Sequence, residues 1–334
     1  MPDSQGLGSI PHFVLGCYLL VLLAFGIQGY RRRRGASEED YYLAGRGQGW
    51  IVSSLTIMAT FFSSFALLGA PGMVYRDGVV FALFSLNVPV AGVAIYLLGT
   101  KIRQAGRDHG YVTPADMIAA HYRSRVGLRL LVACVGLLYA VPYVVMQIQA
   151  GGILSQQLFP GRDAFETGAA LLALITMVYI MVGGMRSVAW TDVVQGGLLV
   201  GGMLLAGLAA VAVLGGPGPF FARVSELPAR SLSAPGTSGR WTPEILFTAS
   251  LFASLGSMIQ PAQWMRFYAA RSTEVLRRSA LIFAAVLTLC FFFGVMLVGL
   301  GGQVLYPLVD GYGSYTIDAA GKVLPHPAVG QTAG

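Results

Sequence analysis

Residues 59–72 read Ala59-Thr60-Phe61-Phe62-Ser63-Ser64-Phe65-Ala66-Leu67-Leu68-Gly69-Ala70-Pro71-Gly72. They lie inside an apolar stretch, residues 50–75, long enough to cross the roughly 30 Å hydrocarbon core of a bilayer as a helix. Paired hydroxyls and then Gly, Pro and Gly interrupt that crossing halfway. Where a membrane helix unwinds, its freed carbonyls must meet a neighbour, water or an ion, because lipid offers no partner. A second stretch, residues 242–269, repeats the device with Ser254-Leu255-Gly256-Ser257-Met258-Ile259-Gln260-Pro261-Ala262-Gln263. Such gaps are natural cation and solute sites. The competing explanation of either break alone is packing, since Gly and Pro are common in membrane helices and Ser or Thr can bond back to their own turn.

The rest of the chain supports a membrane setting. Of 334 residues 55% are hydrophobic and 11% charged, where a soluble domain carries about 25% charge. Mean hydropathy is +0.66. Eight stretches qualify as crossings: residues 11–30, 50–75, 79–100, 126–158, 167–183, 187–214, 242–269 and 279–305. The first is not a cleaved signal, because its basic run Arg31 to Arg34 follows the apolar segment.

Charge sets the direction. Sixteen of the 22 Lys and Arg residues fall on the side reached after odd-numbered spans, Arg266 being counted there. That side is therefore cytoplasmic and the N-terminus extracytoplasmic. The net charge of +7 follows from this topology and not from nucleic-acid binding. Cys17, Cys134 and Cys290 each lie in an apolar run, and no His pairs with His or Glu at metal-ligand spacing, so a disulfide framework, a metal site and enzymatic chemistry all lack support. Thr113 before Pro114, with Asp116 three residues on, predicts a short capped surface helix. Residues 215–240 read as an external loop.

The two interrupted spans are five crossings apart, so they run in opposite directions, as an inverted five-plus-five repeat requires. Three motifs then resemble one family. They are Gly183-Gly184-Met185-Arg186-Ser187-Val188-Ala189-Trp190-Thr191-Asp192-Val193-Val194-Gln195, Asp40-Tyr41-Tyr42-Leu43-Ala44-Gly45-Arg46, and Gln260-Pro261 with Arg266-Phe267. Together they are similar to the sodium:solute symporter family, including its pantothenate, monocarboxylate and proline members. Phe61 stands where the proline members carry an acidic residue.

The resemblance implies an all-α polytopic membrane protein of leucine-transporter-like inverted-repeat fold, with eight transmembrane helices and the second repeat incomplete. Residues 1–334 then form one transmembrane domain. Residues 10–30 are an extra N-terminal helix, 50–214 the first five-helix repeat, 242–305 the first two helices of the second, and 306–334 an extracytoplasmic tail. Family members run longer, so the sequence reads as an N-terminal portion.

The resemblance further implies sodium-coupled symport of a small organic solute (a monocarboxylate, pantothenate or an amino acid) by alternating access. The protein would sit in the cell membrane among lipids, with Na+ as coupling ion and no other cofactor. A membrane sensor on the same scaffold and an inactive truncated transporter are the rival readings. Carbonyls of Ala59 and Phe62 fall at the family's sodium site. A weakly bound monovalent cation needs oxygen ligands, and broken backbone supplies them without burying net charge.

Ser63, Ser64, Ser257, Gln260 and Gln263 are candidate solute contacts, because uncharged donors beside half-helix ends can hold a carboxylate. Helix packing uses the same residue types. Tyr139, Tyr143 and Gln147 recur every fourth residue and share one face, which suits a cavity or interhelical bonding. Asp192 lies near the start of the sixth span, where a helix N-terminus favours negative charge. It is an ion-pathway candidate with a structural alternative.

Overall fold

A computed structural model describes residues 10–31, 37–124, 126–159 and 163–306. Among these residues the regular secondary structure is all helical, apart from one isolated parallel bridge between Gln48 and Ala270. The basic run after Arg31 and the tail beyond residue 306 lie outside the described residues. The helices, in chain order, are α1 (Ile10–Arg31), α2 (Glu38–Leu43), α3 (Trp50–Phe61), α4 (Phe65–Asp77), α5 (Val79–His109), α6 (Pro114–His121) and α7 (Gly127–Leu158). They continue with α8 (Ala164–Val213), α9 (Pro217–Ser225), α10 (Ala229–Leu232), α11 (Pro243–Ile259), α12 (Pro261–Ala269) and α13 (Thr273–Leu305).

Helices α1, α5, α7, α8 and α13 are individually long and apolar enough to cross a membrane, and the pairs α3–α4 and α11–α12 raise the number to seven if each counts as one broken crossing. Helix α8 has 50 residues, about 75 Å at 1.5 Å per residue, more than twice the hydrocarbon thickness. It turns at Gly184, with φ 60° and ψ −157°, a region open essentially to glycine. Counted as two crossings about Gly184, α8 brings the number to the eight expected.

Two expectations are corrected. The third and eighth spans extend to Val79–His109 and Thr273–Leu305, because their polar ends continue the helix past the apolar core. The stretch 215–240 is not all loop: Gly216 at φ 99° starts α9 with Pro217 at its first position, and α10 follows. Proline there loses nothing, since that N–H has no helical partner. The segment before the second span also forms a helix, α2. Its N-cap Ser37 accepts from Asp40 N–H at 3.2 Å, and its first turn carries Glu38, Glu39 and Asp40, the charge sign a helix start favours.

The expected capped helix is formed. In α6 Thr113 and Asp116 form a reciprocal capping box, and Arg129 lies 3.2 Å from Asp116.

The chain divides into two units. The first comprises Met1–Ser64, Ile95–Gly196 and Met258–Ala280. Here α1 packs by glycine: a methyl group on Gly29 would come within 2.9 Å of Ser187 Cβ. Asp40 pairs with Arg186, which ties α2 to the corner of α8. Gln48 and Ala270 form the parallel bridge, with Gln48 N donating to Ala269 O at 3.1 Å and Arg271 N to Gln48 O at 2.9 Å.

The second unit comprises Phe65–Ala94, Gly197–Ser257 and Leu281–Gly334. Its contacts are again glycine-made, with Gly299 of α13 against Val74 and Pro71 of α4, and Gly294 against Met203 of α8. Small residues let membrane helices approach closely where no hydrophobic drive operates. Trp241 donates its indole N–H to the buried Asp77 carboxylate at 2.9 Å and stands edge-on to Phe81 at 5.1 Å.

Candidate functional site

The first break is local chain geometry. Helix α3 stops at Phe61 because Phe62 is extended, with φ −67° and ψ 126°. A helix end leaves its last carbonyls without amide partners. Phe62 N–H still bonds back to Met58 O at 2.8 Å, and the Tyr143 hydroxyl donates to Thr60 O at 3.2 Å. The carbonyls of Ala59 and Phe62 thus stand where the helix no longer supplies its own donors.

Helix α7 meets this end with its polar face. Gln147 Oε1 accepts from Ser64 N–H at 2.9 Å, the Ser64 hydroxyl donates to Met146 O at 3.3 Å, and the side chains of Ser63 and Tyr143 are hydrogen bonded. Tyr139 stacks on Tyr143 with centroids 6.0 Å apart. Ser63, Ser64, Tyr143 and Gln147, drawn from two distant parts of the sequence, therefore come together.

The second break has the same cause. Gln260 is extended, with φ −65° and ψ 136°, and Pro261 opens α12. The buried Gln263 side chain sends its Nε2 to Ile57 O of α3 at 3.3 Å, so the half-helices α3 and α12 are bonded to each other. Gln260 accepts from Gln263 N–H through its carbonyl at 3.1 Å and keeps its side chain buried. Among the candidate solute contacts, two buried side-chain atoms lack a hydrogen-bond partner among the described residues: Gln147 Nε2, a donor, and Gln263 Oε1, an acceptor. Each such group costs about 1–3 kcal/mol unless something completes it.

Ser257 is arranged differently. It belongs to the other unit, and its hydroxyl bonds back to Ser254 O in its own helix at 2.7 Å.

Asp192 is buried beside the same half-helices. It accepts from the Thr56 hydroxyl and pairs with Arg266 Nη2 at 3.0 Å. Arg266 also donates through Nε to Thr56 O at 2.9 Å and Oγ1 at 3.0 Å. Two readings change here. Arg266, counted with the loop charges, is buried in α12. Asp192 is not held by a helix start, since the break at Gly184 lies more than a turn before it and that effect fades within one turn. The sequence contained a signal for this pair: an acid and a base within apolar crossings must find each other, because hydrocarbon solvates neither. Thr56 and Thr60 carried no signal that separated them from ordinary helical hydroxyls.

Crossings that break midway, with polar side chains and bare helix ends gathered at the break, mark a multi-pass membrane protein whose breaks can hold an ion or a solute. The comparisons agree. The chain belongs to the sodium:solute symporter family, whose model matches residues 41–326. It is 25% identical over 324 residues to the sodium/pantothenate symporter of Escherichia coli (strain K12), covering 95% of this chain and 65% of that one. It is 28% identical over 293 residues to the high-affinity proline transporter PutP of Bacillus subtilis (strain 168), covering 85% and 59% respectively. The fold matches that of a Na+-coupled sialic acid symporter in a substrate-bound outward-open state, with a TM-score of 0.77 at 23% identity over 93% of this chain and 64% of that one. The chain thus spans about two thirds or less of the length of these relatives.

Proposed function

We propose that this chain is the ion- and solute-binding part of a symporter that couples inward Na+ flow to uptake of a small organic solute. In this reading residues 10–30 are an extra helix, 50–214 the first repeat and 242–305 the start of an inverted second repeat, with the N-terminus extracytoplasmic. Carbonyls of Ala59 and Phe62 offer oxygen ligands to Na+ without a buried carboxylate of their own. Ser63, Ser64, Tyr143, Gln147, Gln260 and Gln263 line the solute position. Ser257 joins them only if its hydroxyl leaves Ser254 O.

The observation that carries the reading is the pair of unsatisfied amide groups. One donor on Gln147 and one acceptor on Gln263 match a solute that bears both a carboxylate and a hydrogen-bond donor. Pantothenate and amino acids have that pattern, and the names of the relatives are consistent with it. Asp192, locked to Arg266 and Thr56, acts as a strut between α8 and the two inner half-helices, and an ion pathway past it requires that lock to open.

The test is uptake of labelled pantothenate, proline and short monocarboxylates into membrane vesicles containing the longest natural form of the chain. A membrane potential adds about 2.3 kcal/mol per charge per 100 mV to the gradient. Uptake of at least one solute should depend on Na+. Uptake unchanged when choline replaces Na+ refutes the coupling.

A further inference from the structure

Arg103 and Gln303 do the same job, one in each unit. Arg103 lies on α5, the crossing that follows the broken pair α3–α4, and Gln303 lies on α13, the crossing that follows the broken pair α11–α12. In each case the residue comes after a π-helical turn, Ile95–Gly99 in α5 and Cys290–Met296 in α13. Arg103 is four residues past that turn and Gln303 seven.

Each caps the broken crossing of the other pair. In the first unit Arg103 Nε donates to Ala270 O at 2.8 Å, Nη2 to Arg271 O at 2.7 Å and Nη1 to the Thr273 hydroxyl at 3.4 Å. It takes up the carbonyls that follow α12. In the second unit Gln303 Nε2 donates to Val74 O at 3.3 Å and Tyr75 O at 2.5 Å, which are carbonyls in the last turn of α4. Both side chains are almost wholly buried. Terminal carbonyls of a helix have no partner within it and are met by another segment or by water.

The caps are unequal. Arg103 brings a full charge and three nitrogens, and charge-assisted bonds are roughly twice as strong as neutral ones. Gln303 shares one neutral NH2 between two carbonyls, and its Oε1 is buried without a partner among the described residues. A buried acceptor left over in one arrangement favours any second arrangement that satisfies it.

We infer that Arg103 and Gln303 are repeat-related positioning residues that fix the free ends of the two broken crossings, and that Gln303 is the cap designed to let go. Motion of the half-helix α4 against α13 then accompanies the transport cycle, while α12 stays clamped to α5. The inference rests on the repeat assignment proposed above. Its test needs neither Na+ nor a transported solute, so it is readable even if transport fails.

Cys17, Cys134 and Cys290 are replaced by Ser in the full chain, and a single reporter cysteine is placed at Val74 or at Ala269, both fully buried. Labelling by N-ethylmaleimide in membrane vesicles is timed. In the otherwise unaltered chain the reporter at position 74 should react at least threefold faster than that at 269. Gln303→Leu should accelerate position 74 at least fivefold and leave 269 unchanged, and Arg103→Gln should do the reverse. Gln303→Met, similar in length but without the amide, repeats the measurement should the leucine variant fail to reach the membrane. Equal acceleration at both reporters would show general loosening and overturn the inference, as would a faster reaction at 269 in the unaltered chain.

Discussion

Arg266 Nη2 stands 3.0 Å from Asp192 Oδ2, with 9% and 7% of the two residues exposed. The pair joins α12 to α8, and Thr56 of α3 bonds both partners. Three helices distant in sequence thus meet at one buried ion pair. Removing one charge strands the other in a low-dielectric site, which typically costs about 3–5 kcal/mol, whereas removing both together costs far less. Asp192→Asn and Arg266→Gln should each lower the thermal midpoint of the purified protein by several degrees, and the double variant should recover much of the loss. Strictly additive losses would show that the two groups do not depend on each other.

Ser63 sits where α3 has ended and is bonded to Tyr143. A bulky apolar side chain at this position fills the proposed solute space and deletes a hydroxyl, while the extended backbone at Phe62 that makes the break is untouched. Ser63→Leu should abolish solute binding yet leave membrane insertion at the parental level by quantitative blotting. Near-normal solute affinity removes Ser63 from the site.

Gln147 has two roles that substitution can separate. Its Oε1 holds Ser64 N–H at the break, and its Nε2 is the spare buried donor. Gln147→Glu keeps the acceptor for Ser64 N–H but replaces the donor with negative charge, so it should weaken an anionic solute about tenfold or more, the effect of roughly 1.4 kcal/mol, and its stability should fall as pH rises and the buried carboxyl ionises. Gln147→Leu removes both and should lower stability as well, by about 1–3 kcal/mol for the stranded amide. Identical behaviour of the two variants in a melting and solute-competition series contradicts this division.

Much of this architecture is legible from residue order alone. Apolar length marks the crossings, and the breaks follow from Ser63-Ser64 with the nearby Gly69 and Pro71, and from Gln260-Pro261. These are local signals, written in residues a few positions apart. What could not be read depends on partners far along the chain. The carbonyls capped by Arg103 lie 167 and 168 residues away, and no local pattern encodes such pairings. Arg266 was misplaced for a related reason, because a positive charge near the end of an apolar stretch looks the same in a loop as in a helix that has found it a carboxylate. Helix α9 was readable after all, since Gly216 followed by Pro217 is a helix-start signature that the high Gly, Pro and Ser content around it obscured.

Gly184 makes the corner of α8, and two independent constraints meet there. Its φ of 60° with ψ −157° is a conformation other residues adopt only under strain, at about 1–3 kcal/mol. A methyl group would also come 2.8 Å from Tyr41 O, and that neighbour is backbone, which cannot rotate aside. Gly184→Ala should therefore reduce folded yield in the membrane and lower the melting midpoint. Gly202→Ala, in the same helix and with open space around the added carbon, should be neutral or slightly stabilising, because alanine is the better helix former. The reverse order in a paired melting experiment would mean that the corner at Gly184 is not formed.

Trp241 offers a test within the second unit. Its indole N–H is directed to the carboxylate of Asp77, a residue only 1% exposed, and the Arg76 guanidinium approaches the same carboxylate at 3.4 Å. Because Arg76 is itself half exposed, solvent screens its contribution, and the indole is the stronger anchor. Trp241→Phe keeps the ring beside Phe81 but deletes the donor, so the loss should reflect the hydrogen bond to a charged group, about 1.5–3 kcal/mol. Asp77→Asn on the Phe background should then cost little more, since the carboxylate has already lost its best partner. A large further loss in the double variant would make Arg76 the principal partner of Asp77.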